Sequence, residues 1–233
     1  MKDTAMRTLR FAFVKTIPVL LGYLVLGAAF GVVLERAGYG APWALLSSAV
    51  IYAGSAQFVM AELLVSGAGL LTVLVTMLLL GSRHFFYGLT FVEAFRGTKA
   101  RPYLIFSLTD ETYSLLCALK TPPGMDEKRA MLLISLLNQC YWVLGSGLGA
   151  LLGELLPFDL TGIDFAMTAL FTVILVDQLR EAGNRLPALI GGGCSVLFLL
   201  LLGPDAFLLP SLILTVTLLV AGRGLVERGG SRR

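Results

Sequence analysis

The fold is decided by a 25-residue stretch without a charged side chain, AGYGAPWALLSSAVIYAGSAQFVMA (residues 37–61). This length exceeds the ~20 apolar residues that a helix needs to cross the hydrocarbon core of a membrane. Its centre, however, carries Gly54, Ser55 and Gln57 in place of large aliphatic side chains. A glycine–serine pair loosens a helix and frees backbone carbonyl groups. The stretch therefore predicts a membrane segment that is interrupted near its middle.

The composition of the whole chain is that of a membrane protein. Hydrophobic residues make up 57% of the 233 residues and charged residues only 14%, against about a quarter charged in soluble domains. The charge-free runs are 16–34, 37–61, 63–82, 130–153, 186–204 and 206–222. A soluble protein could bury one such helix but hardly six. We expect an all-α, polytopic membrane protein that forms a single transmembrane domain over residues 1–233.

Two further segments leave the number of transmembrane helices open between seven and eight. Residues 103–119 and 160–182 are apolar but carry acidic residues. Eight crossings place both basic termini in the cytoplasm, the side that Lys and Arg prefer, but put the basic loop 96–101 outside. If 103–119 does not cross, seven helices bring that loop inside and expel the basic N-terminus. Each arrangement breaks the rule once, and eight is the arrangement we favour.

An internal similarity predicts a duplication. The segments GYLVLGAAFGVVL (22–34) and CYWVLGSGLGALL (140–152) share Tyr, Val, Leu, two Gly and a final Leu in register. Repeats over 16–119 and 130–222 would follow, as in many transporters, although convergence on small-residue packing gives the same pattern. The repeats are parallel if 103–119 crosses and inverted if it does not. Paired glycines in both copies permit close helix approach, and these are Gly27, Gly31, Gly145 and Gly149.

Charged residues inside apolar segments are functional candidates, because they are costly in lipid. Arg83 and His84 follow an apolar run, where Arg83 could bind a carboxylate and His84 could exchange a proton near neutral pH. The alternative is that the helix ends before them and both are interfacial. Asp110 and Glu111 are adjacent, so they point about 100° apart and cannot face one partner. Alternatively they form the first turn of a helix capped by Thr109.

Uncharged polar side chains in the apolar runs need partners on other helices or in a cavity. Besides Ser55 and Gln57, these are Asn138, Gln139 and Gln178, the last beside Asp177. Interhelical hydrogen bonding explains most such residues. A broken helix near Gly54 and Ser55 is different, because secondary transporters bind their substrates at interrupted helices.

The chain carries none of the sequence signatures of the common enzyme classes. It lacks a G-x-x-x-x-G-K-[ST] phosphate loop, H-E-x-x-H and G-x-S-x-G, so an enzyme is not expected. The three cysteines are spaced for neither zinc nor disulfides, and we expect them to pack as small buried side chains. We predict no cofactor, no metal site and no nucleic-acid partner.

Three ordered motifs closely resemble the AzlC family, the large subunits of bacterial two-component branched-chain amino acid exporters. They are YAGSAQF (52–58), Arg83–His84 with Tyr87, and TDE (109–111), within a likeness over about residues 10–200. The family pattern has an Asn or a similar polar residue before the arginine, and this chain has Gly81–Ser82 there. The resemblance implies export of Leu, Ile or Val, with Met as a further candidate, through the bacterial cytoplasmic membrane. It also implies a small AzlD-type membrane partner and energy from an ion gradient.

Roles follow for individual residues under this hypothesis. The substrate would be bound by Tyr52, Gly54, Ser55, Gln57 and Arg83. The coupling proton would be carried by His84, Asp110 or Glu111, and the secondary candidates are Asn138, Asp177 and Gln178. The alternative hypothesis is a non-transporting membrane subunit that binds or stabilises a partner.

Overall fold

The computed structural model describes residues 2–155, 172, 176, 185–203 and 207–222. Every regular element within those residues is an α-helix, which confirms the expected all-α class for this part of the chain. The helices are α1 Lys2–Arg36, α2 Ala41–Val50, α3 Gly54–Val65, α4 Leu70–Thr90, α5 Arg101–Phe106, α6 Asp110–Cys117, α7 Glu127–Leu155, α8 Arg185–Leu202 and α9 Leu208–Ala221. The chain divides into one compact unit of residues 1–67 and 80–163 and another of residues 68–79 and 164–233.

Three helices are long and apolar enough to cross a membrane, over Ala5–Arg36, Leu70–Thr90 and Glu127–Leu155. The other apolar helices of the described part are shorter. In particular, the charge-free stretch 37–61 does not form the single crossing helix that its length suggests, because it is divided between α2 and α3. The described residues therefore contain three helices long enough to cross a membrane, and the expected count of seven or eight crossings is not confirmed.

Helices α1 and α7 pack closely through the four predicted glycines. A Cβ atom added to Gly27 would lie 3.2 Å from the Cα of Gly145, and one on Gly145 would lie 2.7 Å from the carbonyl oxygen of Tyr23. Farther along, Gly31 meets Gly149, and Gly153 meets Glu35. Since both residue numbers rise together along the contact, α1 and α7 are parallel. Only glycine permits this approach of the two backbones.

Helix α1 ends in a glycine turn. Gly38 has φ +84, a left-handed conformation that glycine adopts without steric cost. The amide of Tyr39 donates to the carbonyl of Leu34 at 3.0 Å, and that of Gly38 donates to Glu35 at 2.8 Å. These bonds satisfy carbonyls at the helix end. The turn sends the chain back toward α7 as α2.

Helices α2 and α3 form a hairpin whose tip is residues 51–53. Across the tip, the side chain of Gln57 donates to Ser48 Oγ at 3.2 Å, which holds the first turn of α3 beside the last turn of α2. At the open end, Trp43 at the start of α2 and Leu64 at the end of α3 line one apolar groove. The chain therefore leaves this hairpin on the side where it entered.

Helices α5 and α6 form a second hairpin, whose tip is residues 107–109. Before α5, the carbonyl of Arg96 accepts a hydrogen bond of 2.6 Å from Lys128, near the start of α7. Leu104 of α5 and Leu116 of α6 then share one buried cluster with Ala12, Phe91, Phe95, Leu108, Met131 and Ile134. This hairpin therefore begins and ends near the N-terminal ends of α1 and α7, whereas the first one opens near their C-terminal ends.

In the second unit, α8 packs against α9. A Cβ on Gly191 would lie 3.7 Å from Thr215 Cγ2, an ordinary contact distance. Cys194 on α8 is buried, as expected, but Cys117 and Cys140 are exposed. The prediction that all three cysteines are buried packing residues is therefore wrong for two of them. A cysteine on the outer surface of an apolar helix needs no protein neighbour, because its side chain tolerates lipid.

Candidate functional site

The tip of the first hairpin is held in a strained conformation. Tyr52 has φ +45, in the left-handed region that bulky residues rarely occupy. Helix α2 ends at Val50 and α3 begins at Gly54, so the break expected around Gly54 and Ser55 lies directly before them. The α3 N-terminus has no side-chain cap and no acidic residue in its first turn. Its free amide groups consequently leave a positive helix end at the tip.

Two glutamines fix this break in place. Gln57 is fully buried and accepts a hydrogen bond of 2.9 Å from Trp142 Nε1, besides donating to Ser48. Gln139 donates at 3.0 Å to the carbonyl of Ala49, which the break deprives of a helical partner, and accepts 2.7 Å from the Tyr103 hydroxyl. Both amides are thus engaged in bracing the hairpin against α7 and α5.

Gly54 lies closely against the indole of Trp142. A Cβ on Gly54 would lie 3.1 Å from Trp142 Cη2, closer than nearly all real contacts of a Cβ atom. The indole also contacts Tyr23 edge to face, with ring centroids 5.3 Å apart, and stacks on Phe30 at 6.2 Å. Aromatic rings therefore fill the space under the tip, and the glycine lets α3 begin directly against them.

Arg83 joins the tips of the two hairpins. Its Nη1 lies 2.9 Å from Asp110 Oδ2, in the first turn of α6, and its Nη2 donates at 2.7 Å to Ser55 Oγ, in the first turn of α3. Tyr87 donates to the other carboxylate oxygen of Asp110 at 2.8 Å. Arg83 and Asp110 keep 33% and 39% of their side-chain surface accessible. The ion pair is therefore open to a ligand on one side.

Glu111 faces away from this ion pair. Its Oε2 accepts a hydrogen bond of 2.7 Å from the Tyr23 hydroxyl of α1. The same hydroxyl lies 2.7 Å from Thr109 Oγ1, which caps α6 by accepting from the amide of Thr112. Adjacent positions on a helix diverge by about 100°, and Asp110 and Glu111 accordingly meet α4 and α1. The capping and the functional interpretations of this turn are thus compatible.

Three buried polar atoms beside these contacts have no hydrogen-bond partner in the described part of the chain. They are Tyr52 Oη, Asn138 Oδ1 and Arg83 Nε. The Tyr52 hydroxyl lies near Thr112 and Tyr23, and Asn138 donates through its Nδ2 to Thr112 at 3.0 Å. A buried polar atom without a partner costs about 1–3 kcal/mol. All three atoms lie around the hairpin tips, beside the predicted site residues.

The predicted residues are thus brought together unequally. The two hairpin tips hold Tyr52, Gly54, Ser55, Asp110 and Glu111, and Arg83 contacts both tips from α4. Gln57 instead hydrogen-bonds Ser48 and Trp142 and so braces the first hairpin. His84 lies one position from Arg83, with Nδ1 3.3 Å from the carbonyl of Gly81 and its ring against Tyr87. Asn138 reaches the site through Thr112. Asp177 and Gln178 lie outside the described residues.

The sequence interpretation did not identify the tyrosine hydroxyls that contact the carboxylates. Tyr23 stands in the repeated segment and Tyr87 in the second motif, yet neither was assigned to the site. A signal existed, because a tyrosine in an apolar helix needs a partner for its hydroxyl. A separate apolar groove of about 380 Å³ lies along α2 and α3, and its lining contains none of the predicted site residues. Among the described residues, no cluster of His, Cys, Asp and Glu is suited to a metal ion.

Similarity to known proteins agrees with the three motifs. Residues 18–156 match the family model described as AzlC protein. An uncharacterized membrane protein of Helicobacter pylori is 40% identical over 223 residues, which cover 95% of this chain and 98% of that protein. The inner membrane protein YgaZ of Escherichia coli is 27% identical over 175 residues, 71% of each chain. No solved structure gives a significant match.

One relative carries a functional name. The branched-chain amino acid transport protein AzlC of Bacillus subtilis is 36% identical over 220 residues, which cover 94% of this chain and 87% of the relative. The family model spans more than half of the chain, and this relative is similar over nearly its whole length. The chain therefore belongs to the AzlC family.

Proposed function

We propose that this protein is a secondary transporter, not an enzyme, which exports branched-chain amino acids through the bacterial cytoplasmic membrane. An ion gradient drives it, and it acts with a small membrane partner of the AzlD type. The observation that carries the proposal is the Arg83 cluster, which joins the interrupted ends of two hairpins within a bundle of apolar helices. The name of the Bacillus subtilis relative supports the substrate class.

The two hairpin tips differ in charge in the way that an amino acid zwitterion requires. The α3 N-terminus is uncapped and lies beside Arg83, so it suits the substrate carboxylate. The α6 N-terminus is capped by Thr109 and carries Asp110 and Glu111, so it suits the substrate ammonium. Aromatic rings beside the tips offer apolar contacts for the aliphatic side chain, since the buried Tyr52 lies 6.2 Å from the exposed Phe106 between ring centroids.

The hairpins also support a specific path through the membrane. Within residues 1–155, α1, α4 and α7 cross, whereas α2–α3 and α5–α6 enter and leave on one side. The loop 96–101 then lies on the same side as the N-terminus and the loop 120–129, because Lys128 contacts Arg96. All three segments are basic and would be cytoplasmic. This path removes the exception that both the seven-helix and the eight-helix arrangements left.

Cysteine labelling distinguishes this path from eight continuous crossings. In a variant without the three native cysteines, Ser66→Cys and Lys99→Cys are treated in intact cells with a membrane-impermeant maleimide. Both positions are exposed. The hairpin path predicts labelling of Ser66→Cys at once and of Lys99→Cys only after permeabilisation. Eight crossings predict the reverse, and that pattern would refute the path.

Transport is tested by efflux of labelled leucine from cells that express the chain with its partner. Arg83→Ala removes the bridge between the tips and is expected to abolish efflux. Arg96→Ala is the matched control, because Arg96 forms an exposed ion pair with Glu93, and it should export normally. If Arg83→Ala exports as fast as Arg96→Ala at equal membrane abundance, the proposed site is refuted.

The partner and the energy source are tested with purified components. Proteoliposomes that contain this chain alone, or the chain with its AzlD-type partner, are supplied with a pH gradient and no ATP. Accumulation of leucine only when both proteins and the gradient are present is the expected result. If both proteins are folded and no ion gradient drives transport, the alternative of a non-transporting subunit takes its place.

A further inference from the structure

The charges at the hairpin tips do not cancel. Arg83 and Asp110 neutralise each other at 2.9 Å. Within the described residues no cationic side chain pairs with Glu111, whose hydrogen bond comes from the neutral hydroxyl of Tyr23. An ionised carboxylate inside a membrane helix costs ~2.5–3.5 kcal/mol on insertion scales. The site therefore has one negative charge that a mobile cation would neutralise.

Apart from Asp110 on α6 and the basic residues Arg83 and His84 on α4, the groups around Glu111 are uncharged. The titratable groups that interact with it are Tyr23 from α1, Tyr52 from the first tip and His84 from α4, and the Arg83–Asp110 ion pair lies on the other side of the α6 turn. Arg83 is committed to Asp110 and Ser55, and His84 Nδ1 is 3.3 Å from the carbonyl of Gly81. None of these groups supplies Glu111 with a permanent counter-charge.

A second, independent feature lies beside this carboxylate. The hydroxyl of Tyr52 is buried, with the residue 2% exposed, and it forms no well-aligned hydrogen bond with its polar neighbours in the described part of the chain. It lies next to Tyr23 and Thr112, and the left-handed backbone at Tyr52 keeps it there. A strained residue that presents an unpaired hydroxyl is typical of a functional site. The hydroxyls around Glu111 can therefore reorganise when its charge changes.

We infer that Glu111 is the residue that takes up the coupling proton of the transporter, an inference that rests on the proposed function. A proton from water binds Glu111 Oε2 on the accessible side of the residue. The new carboxyl O–H then donates to Tyr23 Oη, and the hydrogen of Tyr23 turns to Thr109 Oγ1, 2.7 Å away. The site gains one proton and no covalent bond to carbon changes. The hydrogen bond donated by the Tyr23 hydroxyl moves from Glu111 to Thr109, the residue that caps α6.

Asp110 is excluded from this role by its own contacts. One of its oxygens is paired with Arg83 and the other accepts from Tyr87, so protonation would break the bridge between the tips. Glu111, in contrast, can be neutralised without loss of an ion pair. The two adjacent acids therefore have different roles: Asp110 orients Arg83, and Glu111 exchanges the proton. If the substrate ammonium also binds Glu111, substrate and proton exclude one another, which is the logic of an antiporter.

Proteoliposomes test the inference through Glu111→Gln, which preserves the shape of the side chain but cannot carry a proton. We expect the ratio of leucine uptake rates with and without a pH gradient to fall to one. Glu93→Gln, at an exposed acid, is the control and should keep the wild-type ratio. A retained response in Glu111→Gln, or a wild-type response to sodium and not to pH, would overturn the assignment. Absence of leucine–leucine exchange in proteoliposomes of the wild-type protein would instead count against the proposed function.

A second measurement does not depend on transport. Trp43 and Trp142 are the two tryptophans of the chain, so Trp43→Phe leaves only Trp142, whose ring contacts Tyr23 at 5.3 Å. Reorientation of the Tyr23 hydroxyl should make the fluorescence of Trp142 depend on pH. Glu111→Gln in this background should abolish that dependence, and Asp110→Asn should not. A fluorescence titration that Glu111→Gln leaves unchanged would overturn the inference.

Discussion

The contact between α1 and α7 offers a measurable prediction, because one glycine at the contact has a matched glycine away from it. A Cβ on Gly31 would lie 2.6 Å from the amide nitrogen of Ala150 and 3.0 Å from the carbonyl carbon of Gly149. Gly22, on the same helix, has no neighbour within 4 Å of such an atom. Gly31→Ala and Gly22→Ala therefore make the same chemical change with and without a steric conflict.

The size of the effect follows from these distances. Ordinary contacts begin near 3.4 Å, and the carbonyl oxygen of Ser146 lies closer to the added Cβ than Ala150 does, so the helices must separate by more than about 0.8 Å to admit the methyl group of Gly31→Ala. Backbone atoms on both sides cannot rotate away, and overpacking of this kind costs about 1–3 kcal/mol. Both variants gain helix propensity, by up to about 1 kcal/mol for Gly to Ala in soluble helices. The difference between them isolates the conflict.

The assay is equilibrium unfolding of the purified protein in mixed micelles with increasing dodecyl sulfate, followed by circular dichroism. Gly31→Ala should lower the free energy of unfolding by about 1–3 kcal/mol relative to Gly22→Ala. A loss of 1.4 kcal/mol lowers the folding equilibrium constant by about tenfold. Equal stability of the two variants would show that α1 and α7 are not in backbone contact, and their parallel packing would have to be abandoned.

Three further variants test the hairpins. Gln57→Leu leaves Trp142 Nε1 and Ser48 Oγ without these hydrogen bonds and should lower the free energy of unfolding by about 1–3 kcal/mol in the same assay. Adding Trp142→Phe to this variant should recover part of the loss. If it recovers none, the hydrogen bond between Gln57 and Trp142 does not brace the hairpin. Thr109→Ala removes the cap of α6 and should cost about 1 kcal/mol, whereas Thr109→Ser should cost far less, and equal losses would exclude capping. Gly54→Ala should move the indole of Trp142, 3.1 Å from the added Cβ, and shift its emission maximum in a Trp43→Phe background; an unchanged spectrum would refute that contact.

Local chemistry allowed several geometric features of the hairpin tips to be predicted. A glycine–serine pair in an apolar run predicts an interruption, and the structure has one immediately before Gly54. Adjacent acids diverge on a helix, and Asp110 and Glu111 do contact different helices. The paired glycines predict close packing, which α1 and α7 show. Each of these inferences depends only on residues within one or two turns of each other.

The folding back of the two segments could not be predicted in the same way. A charge-free run of 25 residues satisfies the length requirement for a crossing helix whether or not the chain reverses at its middle. What decides the reversal is the pairing of Gln57 with Trp142 and of Gln139 with Ala49, over separations of 85 and 90 residues. A signal for the path was the basic loop 96–101, because no arrangement of continuous helices could place this loop and the basic N-terminus on the same side.

The reversals explain why the site lies where it does. A continuous membrane helix satisfies its backbone amides internally and places its charged ends at the two membrane surfaces. Ending α2 at Val50 and starting α6 at Asp110 instead brings the N-termini of α3 and α6 together at Arg83, inside the bundle. The α6 end carries two acids of its own, Asp110 and Glu111, whereas the α3 end has only Ser55 and the guanidinium. Under the proposed function, the α3 end therefore binds the anionic group of the substrate and the α6 end its cationic group, and a molecule that carries both charges a short distance apart satisfies the two ends at once.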